Sequence, residues 1–244
     1  MARYKLTVCY DGEAYYGFQR QKGLPTVQSK LEEALSTRFQ QEITIHASGR
    51  TDAGVHAIAQ VIHFDTDKTF DTSSFGYSMN PLLPKDIAIT SCEKVDDNFH
   101  ARFDAKKKTY RYNICLCKLH SPLKRKNCHI CFYDLDIDKM KRACKYFIGE
   151  HDFRAFMLAD EEKQNTVREI YSLEIEQDND ELKIIISGNG FLHNMVRIIA
   201  GTLIDVGRGR IDADSIPQLI NSKKHVGTGK TLEPCGLYLY KVEY

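Results

Sequence analysis

Three observations predict an α+β fold built in two similar halves. Apolar residues alternate along several short runs, recur at helical spacing along others, and the runs follow the order β-α-β-β-α-β twice. In the first half, alternation predicts a strand over 3–10. Val27, Leu31 and Leu35 share one face of a helix over 27–38. Strands follow over 42–47 and 60–65, then a helix over 73–80 and a strand over 87–95. The second half begins with a long strand over 107–117 and a short one over 129–133. Next come a helix over 138–148, strands over 167–177 and 181–187, and a helix over 192–206. A short helix over 213–221 and a final strand over 237–242 complete it. Two tandem ferredoxin-like subdomains, forming a mixed, mainly antiparallel sheet with helices on one face, accommodate this order. The junction is expected within 96–102, dividing the chain into 1–98 and 99–244 with a central cleft between the halves.

At 244 residues the chain is long enough to bury most of its apolar surface, and 42% hydrophobic with 27% charged residues exclude a disordered chain. Residues 1–8 hold no apolar core of signal-peptide length, and no run approaches the roughly 18 apolar residues of a membrane span. A cytoplasmic protein without membrane contact is expected. The net charge of +1 hides an asymmetry. From Arg102 to Lys126 there are nine basic residues and one acid, a local excess of +8 against −7 elsewhere. Tyr110 and Tyr112 lie inside this stretch. Cations hold phosphates and rings stack on bases, so the pattern suits a polyanion with exposed bases, although a solvated surface strand also accounts for it.

Cysteine usage leaves two readings open. Cys115, Cys117, Cys128 and Cys131 form C-x-C followed by C-x-x-C, with His120 and His129 nearby. This would make a zinc site if the two segments met; the alternation from Tyr110 to Cys117 also makes Cys115 and Cys117 small residues on one strand face. Cys9, Cys92, Cys144 and Cys235 read as buried free thiols, and a reducing cytosol argues against disulfides.

The stretch Gly49-Arg50-Thr51-Asp52-Ala53-Gly54-Val55-His56-Ala57 connects two of the strands. Its glycines permit a sharp turn and close approach of a bulky ligand, and a carboxylate presented there can serve as nucleophile, base or metal ligand. A turn in which the Asp bonds its own backbone is the bland alternative. Along the helix over 192–206, Leu192, Met195, Val196, Ile199, Leu203 and Val206 form an apolar stripe beside His193, Arg197 and Gly201. A glycine inside a helix costs about 1 kcal/mol against alanine, which implies close approach by something bulky. A buried Arg197 needs a partner, for which Asp52 is a candidate; a snorkelling Arg197 does not. Gly227-Thr228-Gly229-Lys230-Thr231 ends like a phosphate-binding loop, but Lys224 stands where the required earlier glycine belongs, so no nucleotide cofactor is expected. A metal hydrolase using Asp52, His56 and His63 lacks a second carboxylate near the loop.

The nine-residue stretch resembles a signature of the bacterial tRNA pseudouridine synthase A family, whose members act on the anticodon arm. The run Gly188-Asn189-Gly190-Phe191-Leu192-His193-Asn194-Met195-Val196-Arg197 resembles a second signature, and Lys108-Thr109-Tyr110-Arg111-Tyr112 a third. Runs at 16–21, 98–103 and 149–153 are similar to the family as well, so the likeness spans almost the whole chain. It implies a cofactor-free, metal-free isomerase that breaks the glycosidic bond of a flipped-out uridine and rejoins the uracil through C5. The uridines would be those at positions 38–40 of tRNA. Asp52 would be the catalytic carboxylate, Arg197 its ion-pair partner, and Tyr110 a ring stacked on the target base. Arg50, Phe191, Arg20, Lys108 and Arg111 would bind substrate around a central RNA-binding cleft. A homodimer acting on tRNA is also implied; a non-catalytic RNA-binding module is the alternative. The segment 231–237 departs from the family in carrying Leu232 and Glu233 ahead of Pro234, and the C-x-C and C-x-x-C cysteines are not a family feature.

Overall fold

Backbone groups that find partners in helices, ladders and a few side chains account for the architecture. A computed structural model describes residues 1–119, 122–158 and 165–244. The chain divides into two compact units: Met1–Lys106 with Tyr238–Tyr244, and Lys107–Leu237. The expected junction at 98/99 therefore lies inside the first unit, and the final strand belongs to that unit rather than to the second.

In the first unit, β1 (Ala2–Tyr10) pairs antiparallel with both β3 (His56–Thr66) and β4 (Ile87–Val95). β2 (His46–Ala47) pairs antiparallel with β3 around His63, while β10 (Leu237–Glu243) runs parallel to β3 at His56 and Ala57. The order β4-β1-β3-β2, with α1 (Val27–Phe39) and α2 (Phe75–Met79) in the crossovers, is the ferredoxin-like arrangement expected for this half. Tyr4, Leu6, Val8 and Tyr10 alternate into the core, so one face of β1 is buried. Thr26 caps α1 through a capping box with Ser29, and Val27, Leu31, Ala34, Leu35 and Phe39 supply its buried face. The strand expected over 42–47 shrinks to two residues. The Ile43 N–H goes instead to Ser36 Oγ (2.9 Å) and the Ile45 N–H to Glu32 Oε1 (3.2 Å), so helix side chains replace a ladder. The helix expected over 73–80 gives way to a 3-10 turn at Asn80–Leu82, where Pro81 cannot extend an α-helix.

The second unit has β5 (Lys107–Leu116) antiparallel to β9 (Glu181–Gly188), which pairs with β8 (Val167–Asp178), itself paired with β7 (Gly149–Asp152). β6 (His129–Cys131) lies parallel to β5. α3 (Ile137–Cys144), capped by Asp136, packs against α4 (Met195–Gly207) and β8. The helix expected over 138–148 ends early in a 3-10 turn at Lys145–Phe147, followed by β7, a strand too short to register as alternation. α4 begins at Met195 rather than 192 because Asn194 takes a left-handed conformation (φ 60°) that helical backbone cannot continue through. The expected helix over 213–221 resolves into a 3-10 turn at Ala213–Ser215 and α5 (Ile216–Ser222). The whole is α+β with mainly antiparallel pairing, as predicted. No described helix is long and apolar enough to cross a membrane.

Candidate active site

Asp52 sits on the connection between β2 and β3, and that connection is clamped from both sides. Phe18 N–H donates to Thr51 O (3.0 Å), Gly54 N–H to Tyr15 O (3.3 Å), and Val55 N–H to Asp52 O (3.2 Å). Tyr10 and Thr51 share a buried hydroxyl bond of 2.8 Å, and burial pushes the Tyr10 hydroxyl up to about 12. Gln60 anchors the other end, accepting from Ser48 Oγ (2.7 Å) and donating to Gly49 O (3.0 Å). Two glycines make the clamp sterically possible. A Cβ at Gly12 would stand 2.0 Å from Val55 O, and one at Gly17 (φ +88°) would stand 2.8 Å from Thr51 O. Between buried Thr51 and Val55, Asp52 is half-buried, which gives a carboxylate on a fixed backbone. Arg50, two residues before it, is exposed. Arg20, expected to bind substrate, pairs through its guanidinium Nη1 with the buried Glu32 (3.0 Å) on α1, while its side chain stays largely exposed.

In the second unit, β5 carries three of the expected substrate residues, and strand alternation sorts them. Lys108, Tyr110 and Tyr112 share one face. Arg111 lies on the other, with Asn113 and Cys115, and lines a cavity there, so it is not on the same face as Tyr110. Tyr110 meets the ring of Phe191 edge-on, centroids 5.2 Å apart at 83°. The structure therefore brings together two expected substrate residues that are far apart in sequence. Tyr112 is fully buried and donates its hydroxyl to Glu233 O (2.7 Å), which fixes the departing segment 231–237 against β5. Glu233 itself pairs with His129, giving that unusual acid a partner.

Arg197 stands in the first turn of α4. Its Nε donates to Leu232 O (2.7 Å) and its Nη1 to Asn194 Oδ1. Sequence reasoning missed both acceptors. The bulky neighbour implied by Gly201 is the chain's own backbone: a Cβ there would lie 2.0 Å from Lys230 O, and one at Gly229 would lie 2.3 Å from Gly201 C. Gly229 N–H also donates to Thr202 Oγ1 (2.9 Å). The Gly-Thr-Gly-Lys-Thr run is thus a strap over α4, which its paired glycines could have signalled. His193 lies in the turn that precedes the helix, before left-handed Asn194.

The metal readings find no support in the geometry. His56 and His63 are seven residues apart on β3, roughly 20 Å along the strand at about 3.3 Å per residue, too far to share one ion. His56 Nδ1 accepts from Gly12 N–H (3.1 Å), and His63 Nδ1 from Ala101 N–H (3.1 Å). Among the described residues no group of three or more His, Cys, Asp or Glu is arranged to hold a metal ion. The C-x-C and C-x-x-C segments do meet through the β5–β6 ladder, yet the Cys131 thiol turns to Tyr133 O (3.8 Å). All eight cysteines are free thiols, and His120 lies outside the described residues.

Comparison with known proteins decides the family. A family model described as tRNA pseudouridine synthase matches residues 6–104 and 143–244. The chain belongs to the tRNA pseudouridine synthase family. It is 44% identical over 244 residues to the tRNA pseudouridine synthase A of Bacillus licheniformis, covering 99% of each chain. It is 45% identical to the Bacillus subtilis enzyme of that name over 244 residues, again 99% of each, and 44% identical to the Caldicellulosiruptor bescii one over 239 residues, 98% of each. Among solved structures, an archaeal box H/ACA sRNP Nop10–Cbf5 complex aligns with a TM-score of 0.37 at 15% identity, over 82% of this chain and 44% of that one. Pseudouridine synthases are isomerases, and this chain is one. The matched segments of the tRNA pseudouridine synthase model contain Arg20, Arg50, Asp52, Phe191 and Arg197, whereas Lys108, Tyr110 and Arg111 fall between them.

Proposed function

We propose that this isomerase converts uridine to pseudouridine at the three neighbouring sites of the tRNA anticodon arm, with Asp52 as the covalent catalyst. The observation that carries this reading is the clamped loop: a half-buried carboxylate on a backbone tied down at Thr51, Gly54 and Val55. A base inside a stem is out of reach until flipped, at a cost of a few kcal/mol. Stacking on an aromatic ring returns about 1–3 kcal/mol of that, a role suited to Tyr110 with Phe191 holding its ring edge-on. In this reading Arg50 helps extrude the base, Lys108 and Arg20, whose guanidinium is held by Glu32 on an exposed side chain, meet phosphates, and Arg197 pairs with Asp52. A homodimer in the cytoplasm follows from the same family resemblance, and size-exclusion chromatography with light scattering tests the dimer.

Release of tritium from C5-labelled uridine in tRNA tests the chemistry directly. Asp52→Asn is expected to abolish release while tRNA binding stays near that of the parent. An Asp52→Asn variant that turns over normally would remove Asp52 from the mechanism, and a parent protein that binds tRNA without releasing tritium would leave only an RNA-binding module. Arg197→Met is expected to cut turnover sharply, and Arg197→Lys to keep part of it, because Lys retains the charge without the forked geometry. If the two residues act as a unit, adding Arg197→Met to Asp52→Ala costs nothing further.

A further inference from the structure

Cys115 is the centre of a sulphur cluster on the face of β5 that turns away from Tyr110. Its Sγ lies 2.7 Å from Cys117 Sγ, against about 2.04 Å in a disulfide. The Cys128 thiol donates to Lys124 O (3.1 Å), and the Lys124 ammonium, paired with Glu181 (3.3 Å), is near enough to Cys115 for their charges to interact. Beside the cluster opens a cavity of about 390 Å³ whose wall includes Arg111, Lys124, Lys183, Glu181, Cys115 and Cys128. Three cations against one carboxylate make that cavity cationic. Asn113 Oδ1, buried in the same wall, has no hydrogen-bond partner among the described residues and stands ready to accept from a ligand N–H.

We propose that Cys115 and Cys117 form a thiol–disulfide exchange site whose co-substrate is an anionic, amide-bearing small disulfide seated in this cavity. The Cys115 thiolate attacks one sulphur of the small disulfide, forming a mixed disulfide and expelling one small thiolate, which takes up the proton Cys115 released. The Cys117 thiolate then attacks Cys115 Sγ and expels the second small thiolate, which is protonated in turn. Two protein thiols are oxidised and one small disulfide is reduced to two thiols, so no other oxidant enters. Lys124 stabilises the negative charge that Cys115 sulphur carries as attacking and leaving group. The contact with Cys115, followed by burial, pushes the Cys117 thiol up to about 11, and burial takes that of Cys128 to about 12, so neither is the first attacker at neutral pH. The contact that raises Cys117 most disappears once Cys115 is in the mixed disulfide.

The backbone permits the closing step. Residues i and i+2 of a strand have Cα atoms about 6.6–6.8 Å apart, at the upper edge of what a disulfide spans. Cys117 lies one residue beyond the end of β5 and can draw inward without breaking a β5–β9 pair. A bond made there is strained and readily reduced again, as exchange requires and a structural cross-link does not.

Oxidised glutathione is the probe. The reduced full-length protein is incubated with it anaerobically, alkylated at intervals, and mapped by peptide mass. The expected result is a Cys115–Cys117 disulfide before any other cysteine reacts. Cys117→Ser, checked for native circular dichroism and melting, is expected to stop at glutathione bound to Cys115. Lys124→Met is expected to slow the first step, and cystamine, whose ends are cationic, to react on the order of tenfold more slowly than glutathione at low salt. A first adduct on another cysteine, a Cys115–Cys128 disulfide, a folded Cys117→Ser protein without an adduct, or cystamine reacting as fast as glutathione would each overturn the proposal. Because no readout uses tRNA, its failure is separable from failure of the isomerase mechanism.

Discussion

Gly201→Ala places a methyl carbon 2.0 Å from the Lys230 carbonyl oxygen and 3.1 Å from the carbonyl carbon. Non-bonded contacts to carbon settle near about 3.5 Å, so the strap at 229–232 has to retreat by more than about 1 Å. Overpacking against backbone, which has no rotamer to change, costs about 1–3 kcal/mol. The same retreat stretches the Gly229 bond to Thr202 (2.9 Å) and the Arg197 bond to Leu232 (2.7 Å). Complete loss of these would cost about 1 kcal/mol and about 1.5–3 kcal/mol respectively. Alanine recovers about 1 kcal/mol through its better helix propensity. With the hydrogen bonds weakened rather than lost, the net destabilisation comes to about 2–4 kcal/mol, or several degrees in melting temperature. Equilibrium urea unfolding measures it, with Gly190→Ala as the control. There the new carbon meets only the Arg168 side chain, at 3.7 and 3.8 Å, and a change within about 0.5 kcal/mol is expected. A Gly201→Ala protein as stable as the parent, or more stable through propensity alone, would refute the backbone crossing. Because Arg197 holds the same strap, the variant is also expected to lose tritium-release activity.

Two further outcomes follow from the geometry. Lys108→Ala is expected to flatten the log–log salt dependence of tRNA binding by roughly 0.7–0.9, whereas Arg111→Ala, altered on the opposite face of β5, leaves the slope unchanged; equal effects would mean that both faces meet RNA. Burial and the nearby Arg3, His46 and His100 hold His63 down to about 4, below the ordinary value of 6.5, with Asp65 opposing. The unfolded chain therefore takes up the proton first, so this contribution is whole above pH about 6.5 and is lost as pH falls toward about 4, up to about 3 kcal/mol. His63→Gln is expected to flatten the stability profile across that window, and an unchanged profile would show that His63 does not titrate as described.

What could be read from the sequence divides along physical lines. β4 runs over Ile87–Val95, as expected, because alternation is a local signal and its partners are ordinary ladder groups. The strand expected over 42–47 failed for a non-local reason, since its donors were taken by Ser36 and Glu32 on a helix. At Gly201 the need for a close neighbour was legible, but not that the neighbour is Lys230 backbone, which depends on how the chain returns. Arg111 is a different case. The alternation that made Lys107–Leu116 a strand already put Arg111 opposite Tyr110, and charge composition overrode a geometric signal that was present.

The membership of β10 in the first unit has a consequence for the order in which the chain folds. Lys106 N–H bonds Glu243 O (2.8 Å), the Tyr244 hydroxyl reaches Ala101 O (2.7 Å), and Tyr238 stacks on His56. These contacts wait for residues that leave the ribosome only after the entire Lys107–Leu237 segment. During synthesis the first unit has β1 through β4 but an open edge on β3 at His56 and Ala57, just downstream of Asp52. Unpaired strand edges are the surfaces through which nascent chains associate wrongly. The Asp52 loop therefore completes its surroundings last, and the unit synthesised first is the one most exposed to mispairing while translation continues.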